Sequence, residues 1–291
     1  MQVVFHIGAP CTDDDRLVKS LIRNRDALSK DGVAVPTPGL YRDVIKDTLR
    51  ALDGAPAPEE MSRAILETAR VPEGTERVIF SDPKMVSINR LVVIGPQFWP
   101  MIDRVARSLR NLFPRDQVEF MLGLRDPATL IPALFKSSAF RKFEEFTEDM
   151  QPHALAWSEM LARLREAAPE CPVTTWYNED TPLIWGEILR EMAGCEPLHP
   201  LDGVDDLIEE LMDPAGFRRM QRYLEENQPE NEVLRRRVVA AFLDKYALDD
   251  ALEEELDTPG WSHDMLEEMT AAYEDDMDAI ARVPGVTLIA T

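Results

Sequence analysis

Residues 2–17 read QVVFHIGAPCTDDDRL, and this stretch decides the fold. Residues 2–7 form a continuous β-branched and aromatic run, the mark of a strand buried on both faces. Residues 8–15 are a turn. From Arg16 onward Leu17, Val18, Leu21, Ile22 and Leu28 fall on one helical face. Gly32 ends that helix, and Val33 to Val35 form a short extended piece before Pro36. A strand, a glycine-containing turn, a helix and a second strand open a parallel sheet. The same geometry binds phosphate, because N–H groups and the helix dipole at a helix N-terminus favour an anion. The turn is not a Walker A loop, however: it has no second Gly followed by Lys and Ser or Thr.

Outward from this unit, strands are expected at residues 77–81, 118–124, 172–176 and 286–289. Helices are expected at 100–112, 129–146, 153–167 and 185–192. A last helix opens at Trp261 and Ser262, with Leu266, Met269, Tyr273, Met277 and Ile280 three or four residues apart. Alternation of strands and helices predicts an α/β fold. Its form is a three-layer α/β/α arrangement around a central, mostly parallel sheet, with a helical C-terminal elaboration. Residues 1–291 read as a single domain, with 201–256 as an acid-rich helical insert or lid. Residues 55–58 are a Pro/Ala loop rather than a linker, and no internal repeat appears.

The 291 residues are 45% apolar and 30% charged, enough for a sizeable core. The formal net charge of -22 repels nucleic acid and anionic membranes, so neither is an expected partner. The three cysteines, Cys11, Cys171 and Cys195, are too few and too scattered for a disulfide framework or a zinc knuckle. The N-terminus enters a strand directly, and no apolar run approaches the ~18 residues of a membrane span. The cytoplasm is the expected location. The composition names no protein or small-molecule partner and no oligomeric state.

Several segments carry a family resemblance. The turn "HIGAPCTDDD" resembles the loop His-Ile-Gly-x-x-Lys-Thr-Gly-Thr-Thr of bacterial sulfotransferases, with His6, Ile7, Gly8 and Thr12 matching. "VIFSDPKMVS" stands where those proteins carry a strand ending in Ser-Asp-Glu-Asn or similar. "LRDPATLIPALF" resembles their 3'-phosphate-binding segment, with Arg125 matching its arginine. "VTTWYNEDTPLIW" and the ending "MTAAYEDDMDAIARVPGVTLI" also look like sulfotransferase-like proteins of α-proteobacteria. The resemblance implies a P-loop fold and the donor 3'-phosphoadenosine-5'-phosphosulfate. Gly8, Thr12 and Arg125 are then the candidate cofactor-binding residues.

The departures from the pattern bear on activity. The family's loop lysine falls on Cys11, and its small and hydroxyl positions fall on Asp13, Asp14 and Asp15. The serine and tyrosine of the 3'-phosphate segment fall on Ala133 and Phe135. A carboxylate ~6 Å from a phosphate charge is repelled by roughly 3 kcal/mol at an effective dielectric of ~20. One helix N-terminus offers only ~1 kcal/mol in return.

Three readings of the loop follow. Thr12 or Asp13 caps the helix and the acids replace the family's anion. Alternatively the three acids hold Mg²⁺ or Ca²⁺, although adjacent side chains diverge and the spacing of a calcium loop is missing. In the third, the site still works, with Arg125 on the donor and Asp82 accepting a proton from a substrate hydroxyl. Asp82 also suits a turn or cap, and Arg125 also suits an ion pair with a nearby acid. The expected function is a sulfotransferase-like protein with a degenerate donor loop in a binding or regulatory role. The alternative is an active sulfotransferase acting on a hydroxyl or amine.

Overall fold

The computed structural model describes residues 1–248, 258 and 260–291. In chain order the strands are β1 (Gln2–His6), β2 (Val33–Ala34), β3 (Arg77–Ser81), β4 (Val93–Ile94), β5 (Gln97–Phe98), β6 (Gln117–Leu124), β7 (Val173–Tyr177) and β8 (Val286–Ile289). β4 and β5 form a small antiparallel hairpin. The other six make one sheet in the order β2-β3-β1-β6-β7-β8, and every pair is parallel. The chain builds outward on one side of β1 and then, through β6, on the other. Ligands in open parallel sheets sit beyond the carboxyl ends of the strands at such a reversal.

The helices are α1 (Arg16–Arg23), α2 (Arg25–Lys30), α3 (Pro38–Leu52), α4 (Glu59–Thr68), α5 (Ile102–Leu112), α6 (Pro127–Lys136), α7 (Phe143–Thr147), α8 (Trp157–Ala167), α9 (Thr181–Ala193), α10 (Asp206–Leu211), α11 (Pro214–Glu226), α12 (Glu232–Tyr246) and α13 (His263–Ile280). The strand period of two splits the core between both faces of the sheet. Val3 and Phe5 of β1 join a cluster with Ile45, Leu109, Leu161 and Met269 from α3, α5, α8 and α13. Val4 turns the other way, to Leu17 and Leu21 of α1 and Ile188 and Met192 of α9. The three-layer α/β/α architecture expected from the sequence is the one found. Among the described residues no helix is long and apolar enough to cross a membrane.

Three local expectations change. The helix expected from Arg16 to Gly32 is two helices, α1 and α2, divided at Asn24. The helix expected over 129–146 is two helices, α6 and α7, with residues 137–142 outside both. Ser137 ends α6, and Ser138 turns the chain by accepting a hydrogen bond from the Phe140 N–H at 3.2 Å. That turn brings Phe143 and Phe146 of α7 back beneath Phe135. The sequence also gave no sign of α3 and α4. α3 starts with Pro38 at its first position and buries only Tyr41 and Ile45, and α4 buries only Ile65.

The segment 201–256 is helical up to residue 246, in α10, α11 and α12. The part of that expected insert over 249–256 lies outside the described residues. The three helices share a small cluster of Ile208, Met212, Phe217, Met220 and Val239, packed on Leu183 of α9. Arg190 of α9 pairs with Glu232 of α12 at 2.7 Å, with side chains only 6% and 13% exposed. Arg235 and Arg236 of α12 pair with Asp205 and Glu187.

Candidate functional site

β1 does not end its pairing at His6. Ile7 N–H donates to the Met121 carbonyl at 3.0 Å, Gly123 N–H donates to the Gly8 carbonyl at 2.8 Å, and Ala9 N–H donates to the Gly123 carbonyl at 3.1 Å. The chain then turns sharply. Gly8 takes φ +117°, and a Cβ there would lie 3.0 Å from both Pro10 N and the Pro83 carbonyl oxygen. The glycine is therefore required by the turn itself. Cys11, Asp14 and Asp15 follow with φ of 62°, 48° and 63°, all in the left-handed region.

Thr12 and Asp13 spend their side chains on the loop and on the start of α1. Thr12 Oγ1 donates to the Ala9 carbonyl at 2.6 Å, so Thr12 folds the turn and does not cap α1. Asp13 caps instead: its Oδ2 accepts the Leu17 N–H at 3.1 Å, and its carbonyl accepts the Arg16 N–H at 2.8 Å. Asp13 is buried, and burial pushes its carboxyl above the usual range. Its Oδ1 has no hydrogen-bond partner among the described residues, and neither does Nε2 of the fully buried His6. His6 Nδ1 shares a 2.9 Å hydrogen bond with Ser81 Oγ, and burial lowers the basicity of the ring.

Asp15 turns away from α1 toward α3. Arg42 Nη2 donates to Asp15 Oδ1 at 2.6 Å and Nη1 to Oδ2 at 3.2 Å. The same guanidinium donates twice to the Ser81 carbonyl, from Nε at 3.0 Å and Nη2 at 2.8 Å. The hydrogen bond from Arg42 holds the Asp15 carboxyl below the usual range. Asp82 is 3% exposed. Its Oδ1 accepts the Lys84 N–H at 2.9 Å, and Lys46 Nζ lies 3.0 Å from Oδ2. That Lys46 contact lacks hydrogen-bonding direction, so its attraction is Coulombic. Asp82 thus makes a turn contact and an ion pair.

Arg125 lies behind the loop. Its Nη1 donates to the Cys11 carbonyl at 2.6 Å and its Nε to Thr129 Oγ1 at 2.8 Å, while its own carbonyl accepts Trp157 Nε1–H at 2.9 Å. Asp126 beside it caps α6 through the Ala128 N–H and accepts a hydrogen bond from Thr270 Oγ1 at 2.6 Å. Ala133 offers no hydroxyl. Phe135 packs on Phe143 and Phe146.

These elements enclose a cleft of about 310 Å³ at the carboxyl ends of β1 and β3. Its walls carry Cys11, Asp14 and Asp15 from the loop, Arg42 from α3, Asp82 and Lys84 after β3, and Ser137 at the end of α6. Cys11 Sγ and Ser137 Oγ are 3.4 Å apart, and burial pushes the thiol up. The structure thus brings Thr12, Asp82 and Arg125 to one end of the sheet around Gly8. The acids 13–15 diverge, and among the described residues no three His, Cys, Asp or Glu side chains gather as a metal site requires. Sequence reasoning missed Arg42, Lys84, Asn89 and Ser137. Arg42 and Lys46, four apart after a strand, were the available signal for a basic helix face at the site.

No protein-family model and no curated protein matches the chain. Among solved structures, the crystal structure of a sulfotransferase from Alicyclobacillus acidocaldarius is similar over 86% of this chain and 98% of its own. The TM-score is 0.40 and the identity 12%.

Proposed function

We propose that this chain is a sulfotransferase-like protein whose donor loop is closed by its own side chains, and that it acts by binding rather than by turnover. One observation carries the reading. The Leu17 N–H at the start of α1, which would face the donor's phosphate, is taken by the Asp13 carboxylate. The other loop groups support it. Asp15 holds Arg42, Arg125 supports the Cys11 carbonyl, and Thr12 bonds to Ala9. A phosphosulfate entering here meets the carboxylates of Asp14, Asp15 and Asp82, and Cys11 stands where the family keeps a lysine to offset the transferring charge. The segment resemblances set out above supply the family.

The test is calorimetric titration of the whole protein with 3'-phosphoadenosine-5'-phosphate at modest salt. No binding up to about millimolar concentration is expected, the range in which association falls to about 4 kcal/mol. Micromolar binding that is lost in Arg125→Ala overturns the proposal in favour of a working sulfotransferase. In the proposed reading Arg125→Ala loosens the loop around Cys11 and leaves nucleotide affinity at its negligible level.

A further inference from the structure

The charges lining the cleft do not cancel completely, and what remains is specific. Five charged side chains line it: Asp14, Asp15, Arg42, Asp82 and Lys84. Arg42 and Asp15 satisfy each other, and Asp82 faces Lys46. Asp14 and Lys84 remain. Both are exposed, and neither carboxylate nor ammonium has an ion-pair or hydrogen-bond partner among the described residues. They stand on different walls, Asp14 on the loop after β1 and Lys84 on the segment after β3, and do not pair with each other. Cys11 lines the same cleft as both.

The wall also keeps an unused acceptor. Asn89 is 6% exposed; its Nδ2 donates to the Ser137 carbonyl at 3.3 Å, while Oδ1 has no hydrogen-bond partner among the described residues. The volume of about 310 Å³ is at the small end for ligand pockets and suits a molecule of amino-acid size.

We propose that this cleft binds a small zwitterion bearing an ammonium group and a carboxylate or sulfonate. Asp14 takes the ammonium and Lys84 the anionic end. The inference deepens the binding role proposed above and rests on it. A simple amine leaves Lys84 facing it as a like charge. A simple acid leaves Asp14 doing the same. A multiply charged nucleotide has one unengaged lysine against three lining carboxylates. Only a ligand with both signs uses both groups.

The test uses the full chain, thermal-shift screening and calorimetry. The probes are the twenty common α-amino acids, β-alanine, γ-aminobutyrate and taurine, each beside its analogues lacking the ammonium or the acid group. At least one zwitterion is expected to bind saturably, with both single-charge analogues about tenfold or more weaker. Asp14→Asn and Lys84→Met are each expected to weaken that zwitterion about tenfold, while Arg104→Gln, outside the cleft, leaves it unchanged. Melting of the ligand-free variants checks that they fold. Failure of every probe at about 10 mM overturns the inference, since binding that weak is below any useful affinity. Equal binding of a single-charge analogue, or unchanged binding in both cleft variants, overturns it as well. Failure here together with absent nucleotide binding removes the zwitterion and leaves the closed-loop reading standing; nucleotide binding removes that reading itself.

Discussion

The guanidinium of Arg42 and the carboxylate of Asp15 meet in a two-point contact, at 2.6 and 3.2 Å, that joins α3 to the loop before α1. Because Arg42 also holds the Ser81 carbonyl, one side chain ties the loop before α1 to the end of β3. The pair is part-exposed, at 23% and 34%, so solvent screens it. Arg42→Gln is expected to cost about 1 kcal/mol in urea unfolding at pH 7. The Asp15 carboxyl is depressed by Arg42, so its contribution is present above the unfolded value of about 3.9 and is lost as pH falls through its folded value. The stability gap between parent and variant should therefore narrow in strong acid, leaving only what the Ser81 hydrogen bonds contribute. A difference that persists undiminished at low pH would refute the ionic account.

Asp13 works with the opposite sign. Burial raises its folded pKa, so the native state retains a proton that the unfolded chain has released. Stability drawn from this group falls as pH rises from about 3.9 through the folded value. Asp13→Asn keeps an acceptor for the Leu17 N–H and removes the buried charge. It is expected to unfold at a higher temperature than the parent at pH 7, with the gap closing toward pH 4. Asp13→Ala loses the cap and should cost about 1 kcal/mol. An Asn variant less stable than the parent at pH 7 would sink this reading.

Gly8 has a conformation that side chains rarely adopt, with the Pro10 nitrogen and the Pro83 carbonyl oxygen where a Cβ would go. Gly8→Ala is expected to destabilise the protein by about 1–3 kcal/mol. Gly39→Ala, where a Cβ meets nothing within 4 Å, serves as the matched control. Equal melting temperatures for the two variants would show that the turn tolerates a side chain.

Arg190 is the tie between α9 and the helices that follow. Arg190→Leu strands Glu232 in a site only 13% exposed, and removing one partner of a buried pair costs about 3 kcal/mol. Hydrogen exchange should show the loss in α10 to α12, with β1 and β6 keeping their protection. Loss of protection spread evenly over the sheet would instead make these helices part of one cooperative unit.

The sheet was legible because its inner strands β3, β1, β6 and β7 are mostly buried and read as runs rich in β-branched and aromatic residues. Residues 77–81 and 286–289 are found where expected, β6 begins one residue earlier than expected, and β7 is shifted by one residue. α3 and α4 were illegible because each commits only one or two residues to the core, too few for a periodic signal. The site was half legible. Gly8, Thr12, Asp82 and Arg125 lie on or beside the loop that the first strand announces. Arg42, Lys46 and Ser137 join it from helices that no local pattern connects to it. Of the two residues offered for the cap, Asp13 takes the role, because Thr12 has the Ala9 carbonyl within reach. Proximity in sequence could not decide between them.

The sheet's two outer strands are short. β2 contributes two residues and β8 four. An outer strand is where a foreign chain adds itself by main-chain pairing, and such short ones present few free N–H and C=O groups for it to extend. The protein is thereby guarded against runaway edge-to-edge stacking, a protection that does not depend on the mutual repulsion of its negative charges and so persists in high salt.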